Sequence, residues 1–359
     1  MVVAHVLKAP FRYLLGTILL VVSPPLAAAG MGDAVQSPLG AAGLALIETV
    51  DGYSLEDVAG TRRRITVAEG TRLSAIRQLD NGWIAAGSIS LDRVSDLVLI
   101  RQLGPVQEAI SAPLGETARL RLNPEPLVES GELVGVAWLE GDDGEANAVR
   151  AASWNGGYWG AIETVAPAVH EAQLALSSAV LDDGSWLLVW AAYQEGDDDI
   201  FWSRRHGGRW SEPQTLHTDN DVPDIVPAVA AVPGGALAAW SWFAGDSYRL
   251  MMARFDGAGW LYTGFLGEKG SLHPSLVQTD VGARLLYRTS EPDTWTLLDL
   301  AFDGRVERRA IAERESEPRP IVDVSDPGSV ALRWLADSVA GLGVRREAVE
   351  RRVEWVPEF

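Results

Sequence analysis

Trp138, Trp190 and Trp240 each close an apolar run and stand 52 and 50 residues apart, and Tyr287 and Trp334 continue the series at 47 and 47. A second series, Trp159, Trp210 and Trp260, runs in phase with the first at spacings of 51 and 50, each ring a few residues after a glycine turn. Two aromatic series in constant phase define one unit of about fifty residues repeated along the chain, a period that restricts the fold to a repeat architecture.

The unit is clearest between Gln173 and Leu216. An apolar stretch, Leu174 to Leu181, meets the hairpin signal Asp183-Gly184, and a second strand follows from Trp186 to Trp190. The acidic turn Glu195-Gly196-Asp197-Asp198-Asp199 leads into a third strand, Ile200 to Arg204, and Gly207-Gly208 turns the chain into a short fourth segment opened by Trp210. Four short strands joined by three turns make an antiparallel sheet, the blade of a β-propeller. First-hairpin turns recur at Asn81-Gly82, Ser130-Gly131, Asp183-Gly184, Gly234-Gly235, Asp280 to Gly282 and Asp326 to Gly328. Gly and Pro punctuate the chain too closely for helices of normal length, which excludes helical repeats.

The fold expected is therefore all-β, a six-bladed propeller of four-stranded antiparallel blades over residues 44–359. Asp51-Gly52 has no hairpin before it, so residues 44 to 66 are expected to add outer strands to the blade begun near Pro320. Pairing the two ends of the chain would remove exposed sheet edges.

Residues 1–29 read as a secretory signal peptide: Lys8 and Arg12 make a basic leader, Leu14 to Val22 an apolar stretch, and Ala27-Ala28-Ala29 a small-residue cleavage site. Residues 30–43 read as a flexible segment before the fold. These features predict a secreted or periplasmic protein, held together by packing alone because the chain contains no cysteine. Loss of the two leader cations takes the net charge from −19 to −21. Nucleic acid and, after cleavage, membrane surfaces are thereby excluded as partners, since both demand a basic face.

The segment Ser203-Arg204-Arg205-His206-Gly207-Gly208-Arg209-Trp210-Ser211-Glu212-Pro213 resembles the Asp-box repeat of the sialidase-like propellers. Ser203, Gly207, Gly208 and Trp210 match, and the Asp is missing; Ser153 to Trp159 and Phe255 to Trp260 are looser copies. The resemblance implies the propeller fold. For a working sialidase it would also imply three arginines around a carboxylate and a tyrosine nucleophile. Arg72, Arg249, Arg288 and Arg319 are the arginines open to that role, and Tyr248 and Tyr287 the tyrosines, none in a motif of the family.

In a blade, the loop between second and third strands and the connector to the next blade open on one rim. Here those loops carry Glu140, Asp142, Asp143, Asp197, Asp198, Asp199, Asp246, Glu291 and Asp293, and the connectors add His170, His217, Asp219, Asp221, Asp224 and His273. An acidic mouth is expected, with His170, Asp197, Asp198, Asp221, Asp224 and His273 as ligand-binding residues. Asp219, Asp221 and Asp224 are the best-spaced oxygen ligands for Ca²⁺, although they lack the Gly and distal Glu of an EF-hand loop. No phosphate-binding loop, nucleophile elbow or zinc-spaced histidine pair occurs. The function expected is a non-catalytic binding or scaffold module taking a carbohydrate or protein ligand at the mouth. The alternatives are a glycoside hydrolase of sialidase type, and a lectin that stacks sugars on Trp83, Trp186 or Trp242.

Overall fold

The structure, a computed structural model, describes residues 44–49, 52–57, 62–91, 94–104, 106–113, 120–141, 148–168, 171–194, 197–216, 222–279, 282–290, 293–303, 305–313, 344–347, 351–352 and 355–356. All regular structure among them is β, arranged in six antiparallel sheets that follow one another in sequence. Sheet 1 has three strands, Leu44–Thr49, Gly52–Asp57 and Arg62–Ile65. Sheet 2 comprises Thr71–Leu79, Gly82–Leu91, Val94–Leu103 and Val106–Ile110, and sheet 3 Leu120–Glu129, Glu132–Gly141, Ala148–Ser153 and Glu163–Ala166. Sheet 4 comprises Glu171–Val180, Trp186–Gln194, Asp197–His206 and Arg209–Trp210, with Gln214–Thr215 beside its third strand. Sheet 5 runs through Asp224–Val232, Gly235–Phe243, Tyr248–Phe255 and Trp260–Phe265, and sheet 6 through Ser271–Thr279, Gly282–Ser290, Asp293–Ala301 and Arg305–Glu313.

Sheets 2 to 6 each begin at their innermost strand. Thr71–Leu79 packs on Leu120–Glu129, which packs on Glu171–Val180, then on Asp224–Val232 and Ser271–Thr279. This is the blade order of a propeller. Each inner strand carries a register shift, between Leu73 and Ala75, Leu122 and Glu125, Ala172 and Leu176, Ile225 and Ala228, and Leu272 and Ser275. Three of these bulges hold a residue in the left-handed region followed by proline: Asn123-Pro124, Val226-Pro227 and His273-Pro274, with φ of 47, 52 and 55° at the first residue. Proline has no N–H to donate and is tolerated where a bulge interrupts the ladder.

Both aromatic series lie in the seams between consecutive sheets. Along Trp186–Gln194 alternate residues face opposite ways: Leu187, Val189 and Ala191 join an apolar cluster with sheet 5, and Trp186, Leu188, Trp190 and Ala192 join one with sheet 3. A strand buried on both faces reads as a continuous apolar run, as this one does. Five such clusters join sheets 1 and 2, 2 and 3, 3 and 4, 4 and 5, and 5 and 6. Trp138, Trp190, Trp240 and Tyr287 all face the preceding sheet. The second series plugs the same seams from the far hairpin. The Trp159 indole N–H donates to the Ser111 carbonyl at 2.5 Å, the Trp210 N–H to the Glu163 carboxylate at 2.8 Å, and Trp260 packs edge-on to Trp202 at 5.9 Å.

Five of the six expected first hairpins stand between first and second strands, and Asp326 to Gly328, with Trp334, lies outside the described residues. The expected third strand of sheet 4 begins three residues early, at Asp197, because Asp197, Asp198 and Asp199 pair with Gln194, Tyr193 and Ala192 and extend the ladder. The expected pairing of residues 44 to 66 with the C-terminal region is not present among the described residues. Sheet 1 pairs only within itself and packs Tyr53, Leu55 and Ile65 on sheet 2. Val344–Glu347 and Arg351–Arg352 line the outer edge of sheet 6, and Trp355–Val356 pairs with Tyr262 and Thr263 of sheet 5.

Trp240 is fully buried in the seam between sheets 4 and 5. Replacing it with Ala is expected to cost about 3–5 kcal/mol, the range for large aromatic deletions in a core. Trp210→Ala, at a half-buried ring, should cost less. Urea denaturation at unchanged m value checks both.

Candidate functional site

Hydrogen bonds across the seams assign the two ends of the sheets. At one end the first hairpins of neighbouring sheets touch. The Asp80 N–H donates to the Gly131 carbonyl at 2.9 Å, and the Gly234 N–H to the Asp182 carboxylate at 3.3 Å. Arg204 of sheet 4 reaches the Gly257 carbonyl of sheet 5 at 2.9 Å from this end while holding Asp183 at 2.5 Å. At the opposite end the connectors meet the loops between second and third strands. The Gly270 N–H donates to the Tyr248 carbonyl at 2.8 Å, the Ser290 N–H to the Gly270 carbonyl at 3.0 Å, and Lys269 pairs with Asp246 at 2.6 Å. Two hundred residues earlier the Ser90 N–H donates to the Gly70 carbonyl in the same way. The expected rim is this second end.

Several expected rim acids are structural. Glu140 is buried in a network in which Arg121 donates to it at 3.2 Å, Arg150 donates to it at 3.2 Å, and Arg121 also holds Asp96 of sheet 2 at 3.1 Å. Asp199 is buried within sheet 4. Asp224 opens the first strand of sheet 5 at 1 % exposure, opposite Trp242. His170, Asp219 and Asp221 lie outside the described residues, as do Asp142, Asp143, Glu291, His217 and Arg319. The proposed Ca²⁺ set is therefore represented by Asp224 alone. Among the described residues no group of three His, Asp or Glu is disposed to hold a metal.

Asp197 and Asp198 do reach a common locality, beside Tyr248 of sheet 5. Burial first, and the Asp198 and Asp197 carboxylates after it, hold the Tyr248 phenol above its ordinary pKa. Its ring packs edge-on against Phe243 at 5.3 Å. His273 sits apart on the inner strand of sheet 6, its N–H donating to the Ser241 hydroxyl at 3.1 Å. The protein around its ring, and then the Arg288 guanidinium, hold the imidazole below its ordinary pKa. The structure thus brings together Asp197, Asp198 and Tyr248, with His273 one sheet further on.

The other aromatic candidates are corrected by burial. Tyr287 belongs to the core cluster between sheets 5 and 6, and Trp83 and Trp186 are 5 % exposed within their own clusters. None of the three presents a ring to a ligand. Trp242 is half-buried at the edge of its cluster. The inner-strand bulges went unread in the sequence, although the Pro124, Pro227 and Pro274 series recurs in phase with the aromatic ones and was a usable signal.

No family model and no curated protein matches the chain. Among solved structures, a polysaccharide lyase, an ulvan lyase, is similar over 89% of this chain and 94% of its own at 9% identity and a TM-score of 0.49. A putative TolB from Agrobacterium tumefaciens is similar over 66% of this chain and 84% of its own, at 13% identity and a TM-score of 0.45. Trypanosoma rangeli sialidase is similar over 78% of this chain and 54% of its own, at 12% identity and a TM-score of 0.43.

Because two carboxylates contribute to the raised pKa of Tyr248, neutralising them should lower it. In the Asp197→Asn/Asp198→Asn variant the phenol is expected to ionise at lower pH than in the wild type, while burial keeps it above the ordinary value. A pH titration followed by NMR of ring-labelled tyrosine, with Tyr248→Phe for assignment, reads this directly.

Proposed function

We propose that this chain is an exported, six-bladed propeller of the sialidase-like kind that binds a carbohydrate or protein ligand at the rim formed by Asp197, Asp198 and Tyr248, without turning it over. Export rests on the basic leader, apolar stretch and small-residue site within residues 1–29. Closure into a ring is supported by burial on the outward faces of the two end sheets. Arg284 of sheet 6 is fully buried on the face opposite Ala283 and Leu285, and Ser54 of sheet 1 is 8 % exposed on the face opposite Tyr53 and Leu55.

The observation that carries the functional reading is the setting of Tyr248, half-buried at the rim with the Asp198 and Asp197 carboxylates acting on it. A phenol held neutral beside two carboxylates offers one donor among acceptors, the complement of a hydroxyl-bearing ligand. The same environment opposes a phenolate. Tyr287, the other tyrosine open to a nucleophilic role, is a core residue. Of the arginines open to a catalytic role, Arg72, Arg249 and Arg288 belong to sheets 2, 5 and 6.

The test is a glycan array and a panel of fluorogenic glycosides run on the purified protein, with Ca²⁺ present and absent. Saturable binding without hydrolysis is expected. Asp197→Asn/Asp198→Asn should weaken that binding about tenfold at unchanged melting temperature, the effect of losing charge-assisted hydrogen bonds. Hydrolysis of any glycoside that disappears in Tyr248→Phe would replace the binding reading with a catalytic one.

A further inference from the structure

The seam between sheets 4 and 5 ends at the rim in side chains unlike those of its neighbours. Leu187, Val189 and Ala191 face sheet 5, so Tyr193, two residues further on, faces the same way, with Asp198 opposite it on the next strand. Ala236, Ala238 and Trp240 face sheet 4, so Trp242 does as well. Trp242 stands opposite Asp224 on one side and Arg249 on the other, cross-strand neighbours at about 5 Å. The pair Tyr193 and Asp198 thus confronts the row Asp224, Trp242 and Arg249, one layer above the apolar cluster. Tyr193 is 42 % exposed, Asp198, Trp242 and Arg249 are half-buried, and Asp224 is sealed.

At the same level the seam between sheets 2 and 3 is closed by Arg121, which bridges Glu140 and Asp96. The seam between sheets 5 and 6 is closed by small hydroxyls, Ser271 against Thr289 at 3.3 Å and Ser241 receiving the His273 N–H. Between sheets 4 and 5 two aromatic rings from facing sheets reach the mouth with an acceptor and a guanidinium donor beside them, whereas Phe243 and Tyr248, packed edge-on at 5.3 Å, both come from sheet 5 and lie on its sheet 6 side.

We propose that this mouth is a subsite for one pyranose ring of an oligosaccharide, stacked on the Trp242 indole with Tyr193 as the outer wall. The inference rests on the carbohydrate reading of the rim. A pyranose presents an apolar C–H face that an indole face complements, and a rim of hydroxyls that needs both acceptors and donors. Asp198 supplies the acceptor and Arg249 the donor. Asp224 and Arg249 flank Trp242 across the strands, which fixes where the indole lies and lowers the ordering needed on binding.

Protein labelled with 5-fluorotryptophan, titrated with cellohexaose, xylohexaose and chitohexaose, tests this by ¹⁹F NMR, the Trp242 resonance being the one lost in Trp242→Phe. Calorimetry on the same samples gives the affinities. For a hexaose that binds, the Trp242 resonance should shift saturably. Tyr193→Ala should weaken binding about tenfold at unchanged melting temperature, as truncation of an aromatic anchor does. Tyr158→Ala, at the exposed tyrosine of the opposite end, should not. Calorimetric binding with a silent Trp242 resonance and unaltered Tyr193→Ala affinity would overturn the subsite and leave the rim reading standing. Failure of the wild type to bind any of the three hexaoses or any arrayed glycan would remove the subsite together with the carbohydrate reading of the rim.

Discussion

Sheets 2 to 5 are each packed on both faces, and most of what the chain does follows from that constraint. A sheet inside such a stack has no solvated face, so its side chains can reach water only at the strand ends and at the outer edge. The middle strands answer with apolar runs such as Trp186 to Ala192 and Ala236 to Trp240. The large rings sit where two sheets would otherwise leave the greatest gap. A ring buries on the order of 150–250 Å², so in the three seams between sheets 2 and 5 one indole from the second strand and another from the far hairpin fix the spacing of neighbouring sheets without a disulfide.

The buried charges of this frame are held by several partners at once. Arg121 is 3 % exposed, yet it donates to Glu140, Asp96 and the Pro113 carbonyl and lies 5.6 Å from the Trp138 ring centre. Removing one member of such a buried set typically costs about 3–5 kcal/mol, which marks these groups as ties between sheets rather than ligand contacts. Arg204 does the same at the other end through Asp183, Ser185 and Gly257. An acid at a strand end is therefore not yet a site. What separates Asp198 from Glu140 is a half-exposed setting beside aromatic rings, where a ligand can reach it.

The period, the sheet class and the hairpin positions were legible in the sequence because each depends on local chemistry. Asn81-Gly82, Ser130-Gly131 and Gly234-Gly235 announce turns whatever surrounds them. Even so, the glycines had a second reason that no local reading supplies. A Cβ at Gly82, Gly235 or Gly282 would lie 1.7, 1.8 or 1.9 Å from the carbonyl oxygen of Gln102, Phe255 or Leu300, on the third strand. The site was legible in part. Asp197 and Asp198 could be placed at the rim from strand counting, but the burial of Glu140, Asp199 and Asp224 depends on which arginine or indole lies across the strand or seam. Trp83 and Trp186 looked like surface rings for the same reason: each stands at or next to a strand start beside a turn, and its burial depends on the neighbouring sheet packed over it.

Parity also explains how one scaffold yields unequal seam mouths. The inner-strand bulge spans three residues in sheet 4, Gln173 to Ala175, against two in sheets 3, 5 and 6. An extra residue in the inner strand changes which of that strand's own residues share a face beyond it, while the second and third strands keep an unbroken ladder from Trp186 and Arg205 to Gln194 and Asp197. In sheet 4 the second strand also continues to Gln194 and the third begins at Asp197, so the ladder between them carries nine cross-strand pairs against eight in sheet 5. Tyr193 and Asp198 face sheet 5 at a height where sheet 2 offers Asp96 to an arginine and sheet 5 offers sheet 6 the Ser241 hydroxyl, with Phe243 and Tyr248 beyond it. The opening between sheets 4 and 5 thus arises from strand length and register in sheet 4, with the seam packing below it unchanged.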